Sequence, residues 1–414
     1  MKRSLSIFII LLVIFETGIT QPKRLPTLIP YRKGDKWGFS NEFKKIKIPC
    51  TYASATPFFE GLARVSNEEE KYGFIDMRGK VVIPLEYDWA HSVNKGWIYV
   101  EKQLDDWGYV GGFIDKTGKV VVPLQLKTPP VPLPEFHRYE FSDGLMAIPW
   151  KETPKAKAKY GYIDRKSNFV IKPQFEYATK FSNKLALVQI DSTTAGYINT
   201  SGKVLFKKTR YFTTSAFSEG RARVRLRTSN ERDKLKQGYI DTQGNVVITL
   251  NYNTFNDFKE GVVAAQQFSA KNQDGQKWGF LNKNGGIAIP FQFEQAFNFN
   301  DGLALAVKFN KAGFINKEGR EVIPFIYEYT TQQHFYDMLN ISDRAGFQSG
   351  YAPVWKEGRM GFINRQGTVV VDFKYDGFGV IFYEYNDYSQ GIALVIDDDK
   401  QYYIDMKGKA YYED

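Results

Sequence analysis

KYGFIDMRGKVVIP, running from Lys71 to Pro84, decides how this chain is read. Phe74-Ile75-Asp76 and Lys80-Val81-Val82-Ile83 are short runs of β-branched and aromatic residues, which suit a pleated, half-buried surface. Between them, Asp76 opens and Gly79 closes a four-residue turn of the kind a type I geometry prefers. The Asp side chain accepts a hydrogen bond from a backbone N–H two residues on, and Gly takes a positive φ without a Cβ clash. The stretch therefore predicts a β-hairpin, with Pro84 expected to end its second strand.

The same phrase recurs along the chain. Aligned on the aromatic residue after its glycine, ten copies centre on Phe39, Phe74, Phe113, Tyr162, Tyr197, Tyr239, Phe280, Phe314, Phe362 and Tyr403, 34 to 49 residues apart. A second phrase sits between hairpins, as Phe59-Glu60-Gly61-Leu62-Ala63-Arg64-Val65 and again as Phe217-Ser218-Glu219-Gly220-Arg221-Ala222-Arg223-Val224. It reads as a turn feeding a strand. No helical periodicity intervenes, so each unit offers three to four short antiparallel strands.

The two phrases together resemble the WG-repeat proteins, in which an aromatic-Gly pair opens a GFID..GK.VIP hairpin and a YD.A..F..GLA.V segment follows. The resemblance covers Lys36 to Asp414, with the Trp itself kept at Trp37-Gly38 and Trp278-Gly279. It implies an all-β repeat protein, usually bacterial and often exported, and no general biochemical activity. Two arrangements fit: units stacked side by side as an elongated, twisted array, which the count of ten favours, or units closed radially as one or two β-propellers. The end copies are expected to be irregular. The first has Ser40-Asn41-Glu42 for its turn, and the last lacks the glycine, having Tyr402-Tyr403.

Residues 1–20 read as a secretory signal peptide: Lys2 and Arg3, an apolar run from Leu5 to Phe15, and a cleavage point between Thr20 and Gln21. The run is too short for a span of roughly twenty residues, and no later stretch is longer. Residues 21–35 are expected as a lead-in and 36–414 as the array. This places the chain outside the cytoplasm: in the periplasm, at the cell surface or in the medium. Cys50 is the single cysteine, so no intrachain disulfide forms, and the core must carry stability alone. The formal charge of +10 falls to about +9 without residues 1–20.

Catalysis finds little support. His91, His137 and His334 are the only histidines, none at ligand spacing, and there is no G-x-S-x-G turn. Neither cofactor nor metal is expected, since the recurrent Asp or Asn and Asp397-Asp398-Asp399 read as turns. A carboxylate pair acting on a glycan is the enzymatic alternative, and a purely structural envelope component is the other. The expected function is binding or scaffolding, without nucleic acid. Five insertions, Leu124–Glu140, Lys151–Lys159, Thr228–Gln237, Ser269–Gln276 and Ile326–Ala345, form either a binding rim or drifting loops. Arg221, Arg223, Arg225 and Arg227 alternate with Ala222, Val224 and Leu226, putting four guanidinium groups on one strand face. That stripe is the candidate anion site, for an acidic glycan or lipid of the envelope, the alternative being a solvated face; a protein partner remains open.

Overall fold

The Lys71–Pro84 phrase folds as read, with one difference. In the computed structural model, Tyr72–Asp76 and Val81–Tyr87 pair antiparallel around the turn. Gly79 N–H donates to Asp76 O at 2.9 Å, Gly79 has φ +82°, and Asp76 Oδ1 accepts from Arg78 N and Lys80 N. The second strand, however, runs straight through Pro84. It is the outer edge of its sheet, where a missing N–H breaks no ladder and a proline discourages edge-to-edge pairing.

The model describes residues 25–105, 108–128, 140–151, 156–192, 194–208, 211–212, 215–226, 236–249, 252–253, 256–267, 277–329, 346–378 and 390–414. The proposed signal peptide and the Thr20–Gln21 cleavage point lie outside them. The described residues form ten sheets of three or four strands and no helix. In sheet 2 the order is Ser54–Ala55, Leu62–Ser66, Tyr72–Asp76, Val81–Tyr87, and sheets 3 to 9 repeat it, the fourth and ninth without the short first strand. The all-β tandem-meander reading therefore holds. The stretch expected as a lead-in contributes more than that: Ile29–Lys33 is a strand of sheet 1.

The repeated turn explains why Asp and Asn interchange. In all ten hairpins the first turn residue uses Oδ1 alone to accept two backbone N–H groups, from Asn41 through Asp115, Asn199 and Asn316 to Asp405. An amide oxygen serves there as well as a carboxylate. The glycine before the aromatic has a different cause. In seven of the nine sheets concerned the outer strand bulges opposite it, and a Cβ added to any of the nine glycines would sit 2.5–3.1 Å from a carbonyl oxygen of that strand. Tyr402 escapes this rule because sheet 10 has no outer strand to crowd it.

That missing strand closes the molecule. Instead of completing sheet 10, Tyr412–Glu413 pairs in parallel with Ile29–Lys33, matching Arg32 with Tyr412 and Lys33 with Glu413. Arg32 N–H donates to Tyr411 O, Gly34 N–H to Glu413 O at 2.9 Å, and Arg32 Nη1 to Gln401 O. The apolar core is segmented accordingly. Eight clusters each lie between two consecutive sheets from 2 to 10, such as Tyr72, Phe74 and Ile83 against Ala90, Val93 and Ile98. The ninth joins sheets 10, 1 and 2 through Leu394, Tyr403, Tyr411, Ile29, Phe39 and Val65. Each sheet thus buries both faces against its neighbours in a circle. Of the two arrangements the sequence left open, the chain takes the closed, propeller-type one, and in one ring of ten.

Candidate functional site

Because the strands of each sheet run antiparallel, every connection falls on one of two faces of the ring. One face, here the turn face, carries the Asp/Asn–Gly hairpins and the inner turns of the second phrase. The inner turns are two-residue loops with both residues left-handed, as at Glu60 (φ +49°) and Gly61 (φ +90°). Their acidic side chains link sheet to sheet. Gly96 N–H donates to Glu60 Oε2, Lys184 N–H to Asp143 Oδ2, Gly261 N–H to Glu219 Oε2, Gly302 N–H to Glu260 Oε1 and Gly350 N–H to Asp301 Oδ2, at 2.7–3.2 Å. Asn183 Oδ1 takes Gly220 N–H in the same way. At sheet 1, which lacks an inner turn, Gln390 Nε2 reaches across to Phe58 O.

Hairpin-turn cations add a second tie. Lys283 Nζ lies 3.0 Å from Glu219 Oε2 and Lys317 Nζ 3.2 Å from Glu260 Oε2, while Lys116 Nζ donates to Glu60 O and Arg165 Nη1 to Lys95 O. Burial raises the Glu219 carboxyl, but the Lys283 ammonium and the Gly261 N–H outweigh it and hold it below the usual range. At these positions the turn face is committed to holding the ring.

The opposite face varies from copy to copy. Among the described residues, three of its hairpins have two-residue loops with positive φ at both residues, Phe309-Asn310, Glu357-Gly358 and Asp398-Asp399. A carboxylate from the preceding sheet-to-sheet link caps them: Glu294 accepts Phe309 N–H and Asn310 N–H, Glu328 accepts Gly358 N–H, and Asp376 Oδ2 accepts Asp398 N–H. Carboxylate oxygens of Asp376, Asp397 and Asp398 approach within 4.8 Å of one another, but Asp376 is bonded by Arg359 and Asp398 N–H, and Asp397 by Tyr402 Oη. Asp398-Asp399 is itself the two-residue turn that Asp376 caps.

All five insertions leave from this variable face. Their central residues lie largely outside the described ones, but the strand ends that bear them are described: Trp150 and Lys159, Leu226 and Lys236, Gln267 and Lys277, and the ends of Val120–Thr128 and Glu321–Glu328. Leu124–Thr128, expected as part of an insertion, instead extends the outer strand of sheet 3 against Tyr109–Gly111.

The arginine stripe runs between the two faces on the strand Ala222–Leu226. Ala222 and Val224 are buried against sheet 5, so the alternation is real. The arginine side of the strand looks toward sheet 7, because every sheet in the ring is flanked twice. Arg221, at the turn-face end, donates Nε to Lys283 O at 2.9 Å and Nη1 to Gly220 O, which ties sheet 6 to sheet 7. Arg223 is half-buried. The Arg225 side chain and Arg227 lie outside the described residues. Arg221, the member of the stripe whose side-chain contacts are described, is thus committed to tying two sheets together.

The family model for the WG containing repeat matches nine segments, at residues 37–70, 72–103, 112–127, 160–193, 196–227, 238–267, 278–311, 313–333 and 360–400. The chain is a WG-repeat protein. No curated protein matches it. Among solved structures it is similar to a eukaryotic initiation factor (8% identity, 93% of this chain against 94% of that one, TM-score 0.46). It is also similar to BamB from Moraxella catarrhalis (10%, 75% against 78%, TM-score 0.27) and to the Pyrococcus horikoshii acylaminoacyl peptidase (10%, 70% against 53%, TM-score 0.33).

Within the WG-repeat ring one interface departs from the apolar rule. The strand position held by Leu187, Ala264, Leu305 or Leu394 elsewhere is Arg64 in sheet 2, only 2% exposed. Its guanidinium donates to Ala90 O and lies 5.3 Å from the ring centroids of both Tyr72 and Trp89. Nearby in sheet 3, Tyr99 Oη donates to the buried Glu101 at 2.8 Å, and a Cβ on Gly111 would meet that hydroxyl at 2.1 Å. Sequence reading passed over this group. The available signal was Arg64 itself, a charge inside a phrase whose other copies place Leu, Ala or Pro there, save Tyr99 in sheet 3 and Arg223 in sheet 6. Among the described residues no helix is long and apolar enough to cross a membrane.

Proposed function

We propose that this WG-repeat protein is an exported, non-enzymatic binding scaffold that holds its partner on the variable face of the ring. The partner is a protein or an anionic component of the cell envelope. One observation supports the reading: connections on the turn face tie neighbouring sheets together, whereas all five length changes leave from the other face. A repeat whose core and turns are fixed by packing is free to change only where a loop adds little closure entropy. Arg225, toward the variable-face end of its strand, and Arg227, which follows it in sequence, are the cations we assign to an anionic partner.

The test shortens the loops between Trp150 and Lys159, Leu226 and Lys236, and Gln267 and Lys277 to Asn-Gly pairs, like the short hairpins of the other copies. Binding to envelope fractions is then titrated, alongside an Arg225→Ser/Arg227→Ser variant. Loss of saturable binding with an unchanged melting transition supports the reading. Equal binding by the shortened ring would reject the variable face as the site.

A further inference from the structure

The turn cation that reaches back to the preceding sheet is not present in every copy: Thr200 and Thr242 stand at its position in sheets 5 and 6, and Lys409 of sheet 10 reaches Glu42 O of sheet 1 from another turn position. In sheets 3, 4, 7 and 8 the residue after the turn's Asp or Asn is Lys116, Arg165, Lys283 or Lys317, each reaching back to the preceding sheet. At the seam where the ring closes, sheet 2 has Met77 instead, 47% exposed, and the turn of sheet 1 carries Phe43, 76% exposed. Ile46 and Val81, the first outer-strand residues beyond these turns, are exposed as Val120, Ile287 and Val369 are in other sheets, so Phe43 and Met77 are what set the seam apart. The two turns are neighbours: the Cβ position of Gly79 lies 3.2 Å from Ile48 Cγ2 of sheet 1.

Cations surround these apolar tips. Lys44, Lys45, Arg78 and Lys80 are all exposed, and Lys409 Nζ lies 5.9 Å from the Phe43 ring. The acids of the same turns offset them poorly. Glu42, Asp76 and Asp405 are three carboxylates against the five cations Lys44, Lys45, Arg78, Lys80 and Lys409.

An exposed phenyl ring and thioether set among excess cations suit a phase boundary with apolar depth and negative surface charge. We propose that this seam patch docks the ring on an anionic bilayer, with Phe43 and Met77 entering the headgroup region and the cations meeting lipid phosphates. Docking there leaves the variable face turned away from the membrane. The inference uses a different face from the proposed binding site and stands or falls separately from it.

The experiment is flotation of the full chain with vesicles of phosphatidylcholine alone or mixed with phosphatidylglycerol, at low and high salt, with soluble glycerol phosphate as competitor. The expected result is binding to the anionic vesicles only, loss in Phe43→Ser/Met77→Ser, and weakening by about fivefold per charge removed in Lys44→Gln, Lys45→Gln, Arg78→Gln and Lys80→Gln. Lys166→Gln/Lys203→Gln, on distant turns of the same face, is expected to bind as the parent does. The proposal is overturned if the parent does not float or if the distant variant loses as much. Release by glycerol phosphate alone, which would mean a headgroup pocket, also overturns it, as does sedimentation showing that the patch joins two copies of the chain. All substituted side chains are exposed and the turns keep their backbone hydrogen bonds, so the variants are expected to melt like the parent.

Discussion

Closure of the ring rests on few residues, and Tyr411 is the one whose removal tests it. Its side chain is fully buried in the cluster that joins sheets 10, 1 and 2, with Oη 3.3 Å from Asp405 Oδ2. Truncation of an aromatic side chain at such a site costs about 3–5 kcal/mol. Tyr239 offers the comparison, since it is equally buried between sheets 6 and 7 but away from the seam. Tyr411→Ala and Tyr239→Ala are expected to lose similar stability in urea, read from the unfolding midpoint. Only Tyr411→Ala should also speed exchange of the Arg32 and Gly34 amides, which donate to Tyr411 O and Glu413 O, and raise the radius of gyration as the ring opens. A complementary lock uses the paired positions Lys33 and Glu413, which lie 380 residues apart in the chain. In a Cys50→Ser background, a Lys33→Cys/Glu413→Cys disulfide should form and add about 6 kcal/mol by the chain-entropy relation. Failure of the disulfide to form, together with unchanged Arg32 and Gly34 exchange in Tyr411→Ala, would refute closure through this strand.

The remaining expectations concern the repeat itself. Gly73→Ala places a Cβ 2.6 Å from Ile83 O and should cost at least about 2 kcal/mol, since backbone must move. Gly61→Ala meets nothing within 4 Å and should cost only the left-handed penalty of about 1–2 kcal/mol; a reversed order in chemical denaturation would contradict the bulge explanation. Glu260→Gln keeps an acceptor for Gly302 N–H and loses the partly exposed Lys317 pair, so it should cost under about 1 kcal/mol. Glu260→Ala should cost about 1 kcal/mol more in the same assay, because the N–H is then left without its partner. Asp88, Asp164 and Glu219 are held below their usual range; for Asp88 and Glu219 burial opposes the shift and the Lys71 and Lys283 ammonium groups overcome it, while for Asp164 the Asn168 N–H leads. Their contribution is present above the unfolded carboxylate values and lost as pH falls below about 4. Burial raises the phenols of Tyr162, Tyr197, Tyr375, Tyr402 and Tyr411, so that contribution is intact below about 10 and lost as pH rises beyond it. A melting temperature that is flat across both limits would count against this.

Local chemistry in this chain is written locally. The Asp or Asn that caps each turn, the positive-φ Gly that follows, and the β-branched runs beside them involve residues within five positions, so the hairpins, their repetition and the all-β class could be read from the sequence. Even the departure at Tyr402 was visible, but its meaning was not, because the carbonyl that forbids a Cβ elsewhere belongs to a strand that leaves for sheet 1. Proline at position 84 misled for a related reason: whether a missing N–H matters depends on whether a neighbour stands on that side. The arginine stripe was legible as an alternation, yet Arg221 is spent on Lys283 O of sheet 7, which no spacing within one strand reveals. Closure itself depended on residues 380 positions apart finding each other. A repeat states how each unit meets the next; whether the accumulated rotation brings the last unit back to the first is fixed by the angle between packed sheets, which only the assembled interfaces determine.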